Sequence, residues 1–73
     1  MIKKAFFVNK LRELDFTFVR PADRVELWRQ RGSSRRVNVP RRDEIPEAHV
    51  IFSLRQCGLE EDEIRAFIQS AKS

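Results

Sequence analysis

Seventy-three residues hold one domain at most, at a size where a single hydrophobic core is only just sufficient. Hydrophobic residues make up 41% of the chain and aromatic residues 10%, which argues against intrinsic disorder; a single cysteine, Cys57, and a single histidine, His49, exclude an internal disulfide and a structural zinc cluster. The net charge of +4 is unevenly spread: residues 20 to 42 hold eight of the fifteen basic residues against Asp23 and Glu26 alone, while residues 43 to 73 carry seven acids against Arg55, Arg65 and Lys72.

No segment approaches the ~20 apolar residues that a membrane span requires, and the N-terminal run MIKKAFFVNKL turns to charge too early for a signal-peptide core. The expectation is a cytoplasmic protein without a membrane partner. With no internal repeat or linker, residues 1–73 read as one unit.

From Ile2 to Leu14, Phe7, Leu11 and Leu14 follow helical spacing with Phe6 and Val8 beside them, so a first amphipathic helix is expected there. Asp15 suits the left-handed turn that ends many helices. Phe16 and Phe18 then alternate with Thr17 and Val19 as in a strand, and Arg20 to Asp23 supply turn chemistry. A second strand follows, in which Val25 and Leu27 alternate with Arg24, Glu26 and Trp28. Gly32, Ser33 and Ser34 make the next turn, and a third strand, with Val37 and Val39 between Arg36 and Asn38, stops at Pro40, which cannot donate to a ladder.

Pro46 suits the start of a second helix with Ala48, Val50, Ile51, Leu54 and Cys57 as its apolar stripe, and Gly58 suits the position just past its end. Glu60, Glu61, Asp62 and Glu63 fit the start of a short third helix with Ile64, Phe67 and Ile68 on one face. The order α-β-β-β-α-α predicts an α+β fold, a three-stranded antiparallel sheet covered by helices on one face. Phe16, Phe18, Val25, Leu27, Val37 and Val39 are expected beneath the helices. Thr17, Val19, Arg24, Glu26, Trp28, Arg36 and Asn38 are expected on the open face.

Trp28 among arginines is the constellation closest to a function. An indole on a basic sheet face can stack a base while guanidinium groups contact phosphates, or it can merely shield an edge with arginines packed over it. The candidate RNA-binding set is Arg24, Trp28, Arg29, Arg31, Arg35, Arg36, Arg41 and Arg42. Six of these arginines fall between Arg29 and Arg42, and the planar fork of arginine matches phosphate where a lysine point charge does not.

Other chemistry finds little footing. Cys57 sits on an apolar stripe and reads as a small core residue. His49, near a helix start, reads as a solvated or capping-region group more readily than a general base. Glu60 to Glu63 lack calcium-loop spacing and Gly32 is a lone turn glycine, so neither a metal nor a cofactor is expected.

Three pieces, LRELDFTFVR, RRVNVPRRDEIP and LRQCGLEEDEIRAF, together resemble the small HicA toxins, also called YcfA-like proteins, over most of the chain. The resemblance implies a double-stranded-RNA-binding-like α-β-β-β-α fold, activity on messenger RNA within a toxin–antitoxin system, and a HicB antitoxin as partner. Nucleolytic members carry Gly-Ser-His at the start of the second strand. Aligned on Phe18-Val19-Arg20, that motif falls on Asp23, Arg24 and Val25, so the catalytic histidine has no counterpart there. Without an imidazole in that place the expectation is RNA binding without cleavage. The alternatives are a divergent ribonuclease using His49, and an interaction module that pairs with an antitoxin-like partner or with a second copy of itself, its basic middle meeting an acidic surface such as Glu60 to Glu63.

Overall fold

The computed structural model describes residues 1–72 and has an α+β architecture. The elements in chain order are β1 (Ile2–Lys3), α1 (Lys4–Glu13), β2 (Phe16–Pro21), β3 (Val25–Gln30), β4 (Arg36–Pro40), β5 (Glu44–Ile45), α2 (Glu47–Gln56) and α3 (Glu61–Lys72). As expected, β2, β3 and β4 form an antiparallel sheet in that order. Asp15 takes the left-handed conformation (φ 71°) after α1, and Gly58 does so (φ 89°) after α2.

Several elements differ from the sequence expectation: β1 and β5 are additional strands, and β2 continues through Arg20 and Pro21, where a turn is expected. The first helix begins at Lys4, because Ile2 and Lys3 pair antiparallel with Ile45 and Glu44 in a separate two-stranded sheet. Ile2 and Ile45 lie opposite each other and both are fully buried, a gain that helical periodicity around Ile2 does not register. The third helix runs on to Lys72, with Glu61, Asp62 and Glu63 in its first turn, where the helix dipole favours acids.

The core is formed where Phe7 and Leu11 of α1, Val50 and Leu54 of α2, and Ile64 and Ile68 of α3 meet Phe16, Trp28, Val37 and Val39 of the sheet. Residues directly opposite in neighbouring strands share a face. The register therefore places Phe18, Trp28 and Val37 in one row beneath the helices, with Pro21, Glu26 and Val39 in the next. On the open face the rows are Thr17, Arg29 and Arg36, then Arg20, Leu27 and Asn38.

This reverses the expected parity of β3. Trp28 is 4% exposed and belongs to the core, while Leu27 and Val25 turn to the open side and remain half-buried. Arg24 precedes the strand rather than lying on its face. Phe18 keeps the helix side but on the edge strand, 48% exposed, its ring edge-on to Trp28 with centroids 5.9 Å apart. The tryptophan wins the inward parity because it carries far more apolar area than a valine or leucine. Its polar companion on that face is satisfied: Glu26 accepts a hydrogen bond from Trp28 Nε1 at 3.3 Å and from Lys4 Nζ at 2.7 Å. Arg12 of α1 covers the indole, 5.6 Å from its centroid, so a cation does pack on Trp28, but from the helix side.

The hydrogen bond from Lys4, helped by that from Trp28, holds the Glu26 carboxyl below its usual value of 4.5 despite partial burial. Because the folded value is the lower one, the stabilisation is complete above 4.5 and is lost as the pH falls through the lowered value. Glu26→Gln should therefore reduce stability at neutral pH and flatten the acid limb of the stability profile, as measured by urea unfolding from pH 7 to pH 2.5. An unchanged acid limb would contradict the assignment.

Candidate nucleic-acid interface

The alternation that sends Trp28 inward sends Arg29 outward, and the register sets it directly opposite Arg36. Like charges so placed destabilise a sheet unless something negative lies over them. Among the described residues no carboxylate does: the ion pairs join Lys4 to Glu26, Lys10 to Glu13, Arg55 to Glu61 and Lys72 to Glu47, and none uses an arginine between residues 20 and 42.

A third arginine reaches the same face through an irregularity in β2. Phe18 pairs with Trp28 but Arg20 pairs with Leu27, so β2 carries one extra residue, Val19, at a bulge. Val19 and Arg20 both line a groove whose sheet wall is mostly the open-face residues Leu27, Arg29, Arg36 and Asn38, together with Trp28 and Val37. Its opposite wall is α2, where His49, Phe52, Ser53 and Gln56 recur at helical spacing on one side, while Val50, Leu54 and Cys57 recur on the core side. The groove measures about 700 Å³, and among the described residues no acid lines it.

His49 ties the two walls together. Its Nε2 lies 2.9 Å from the carbonyl oxygen of Asn38 in the edge strand β4, an acceptor that fixes the proton on Nε2 and leaves Nδ1 without one in the neutral ring. The same imidazole borders a second hollow, lined also by Asp23, Arg24, Arg41 and Arg42. There Arg41 donates from its backbone N–H to the Arg24 carbonyl (3.1 Å) and from Nη1 to the Ala22 carbonyl (3.2 Å), joining the loop after β4 to the turn before β3.

The arginine set named from sequence thus divides. Arg29 and Arg36 stand on the open face; Arg24, Arg41 and Arg42 gather at one end of the sheet. Arg31 lies in the turn after β3, its backbone N–H donating to the Asp15 carbonyl at 3.0 Å. Arg35 serves the fold: Nη1 donates to the Cys57 carbonyl at 3.0 Å and the guanidinium lies against Gly58, where it closes the end of α2. Trp28, as a core residue, offers no base-stacking ring on the open face. Cys57 is buried, and burial pushes its thiol up, which matches a packing residue.

Comparison with protein-family models, curated sequences and solved structures finds no match for this chain. Its site stands on geometry alone.

Arg20, Val19, Phe52 and Gln56 belong to the groove and are absent from the set named from sequence. The bulge that turns Arg20 outward leaves no mark in a period-2 reading. Phe52 did carry a signal, since it falls outside the Val50, Leu54 and Cys57 stripe of its helix. Among the described residues no helix is long and apolar enough to cross a membrane, and no cluster of three or more His, Cys, Asp or Glu residues could hold a metal ion.

Proposed function

We propose that this protein is a small RNA-binding domain of HicA-like build that holds RNA on the open face of its sheet. The observation that carries the reading is the directly opposed Arg29 and Arg36 pair, beside Arg20, without a carboxylate partner among the described residues. Guanidinium groups in that arrangement suit successive phosphates of one strand. Arg24, Arg41 and Arg42 extend the positive surface around the end of the sheet. Under the HicA resemblance a HicB-like antitoxin is the corresponding protein partner, and the same basic face is where an acidic partner would seat.

Binding of this kind displaces counterions, so affinity falls steeply with salt. Wild-type protein should bind a fluorescent RNA hairpin in 50 mM salt and release it progressively towards 300 mM. The double variant Arg29→Ala/Arg36→Ala should lower the slope of log affinity against log salt by roughly one per lost phosphate contact. No binding by the wild type at low salt would sink the proposal.

A ribonuclease reading is favoured by one observation. His49 borders the hollow that holds Asp23 and Arg24, where the Gly-Ser-His motif of nucleolytic HicA proteins aligns, and its Nδ1 is left as a proton acceptor. An imidazole from α2 would then stand in for the missing strand residue as general base. This reading expects cleavage of labelled RNA by the wild type and its loss, by roughly a hundredfold or more, in His49→Ala. An inert wild type would leave the binding reading alone.

A further inference from the structure

We infer that the groove between the open sheet face and α2 takes an unpaired RNA base, with Phe52 as the ring on which that base stacks. The inference rests on the RNA-binding reading and specifies what part of the RNA is held. Phe52 is 61% exposed in mid-helix, and Val19 across the groove is 52% exposed, so the groove has an apolar interior that no segment among the described residues covers. Exposed aromatic surface walled by uncompensated arginines is poorly suited to a purely apolar ligand and well suited to a flat ring attached to a phosphate.

The dimensions and the polar groups agree with that occupant. At about 700 Å³ the groove lies within the size range of small-molecule sites. Arg20 belongs to the sheet wall and Gln56 to the helix wall. The Gln56 carboxamide supplies both a donor and acceptors for a base edge, while a guanidinium reaches the flanking phosphate. A base inside a continuous duplex cannot leave its stack to lie on the Phe52 ring without the cost of unpairing. The preferred RNA is therefore a loop, bulge or single strand.

The test uses the full chain and three nucleic acids: an RNA hairpin with 2-aminopurine in its loop, a blunt RNA duplex of equal length, and the DNA version of the hairpin. Loss of one base stack predicts that Phe52→Ala weakens loop-RNA binding about tenfold and abolishes the change in 2-aminopurine fluorescence. Duplex binding should stay within about twofold of wild type, and Phe52→Tyr should keep loop binding. Since Phe52 lies outside the core, an unchanged thermal unfolding curve for Phe52→Ala verifies that the fold is intact. Equal loop binding by Phe52→Ala and wild type overturns the base pocket while leaving RNA binding in place. Failure of the wild type to bind either RNA overturns both, and tighter binding of the DNA loop overturns the assignment to RNA.

Discussion

The burial of Trp28 beneath α1 is the contact on which the rest of the structure depends. The indole lies between Phe18 on its own face of the sheet and Arg12 of the helix, with its Nε1 donating to Glu26 and Glu26 in turn held by Lys4. Phe18 lies on β2, Glu26 on β3 and both Arg12 and Lys4 on α1, so the set joins β2, β3 and α1 at one point. Moving β3 by a single residue would turn Trp28 into solvent and Arg29 into the core, where an unpaired guanidinium has no partner. A core this small cannot absorb that loss.

The chemistry of the open face follows from this inward choice. With Trp28 fixed, Arg29 must point outward, and its neighbour across the ladder is another arginine. The bulge at Val19 adds Arg20, and α2 supplies Phe52 and the anchored His49 on the far wall. Stability alone does not account for two arginines facing each other with no acid among the described residues paired to them. An anion would relieve that repulsion, and a phosphodiester backbone brings several in a row.

Much of this was legible in the sequence, and the omissions have physical causes. Strand alternation, Pro40, the Gly32 turn, Asp15 and Gly58 marked the elements because each acts through local backbone chemistry. Parity in β3 was not legible. Val25-Glu26-Leu27-Trp28 presents apolar residues on both faces, and burying the larger Trp28 also turns Glu26 inward, where its partner Lys4 lies 22 residues away. The pairing of Ile2 with Ile45 and the closure of α2 by Arg35 are likewise long-range contacts invisible to periodicity. The site was legible as a basic segment; its division into Arg29 and Arg36 outside, Arg35 structural and Trp28 buried required the fold.

Arginine side-chain resonances offer the most direct view of which face meets RNA. In a titration of isotope-labelled protein with an RNA hairpin, the Nε–Hε signals of Arg20, Arg29 and Arg36 should shift, while those of Arg12 on Trp28 and of Arg55 and Arg65 on the helices should stay in place. Shifts concentrated on Arg12, Arg55 and Arg65, with the open-face signals unmoved, would contradict the account.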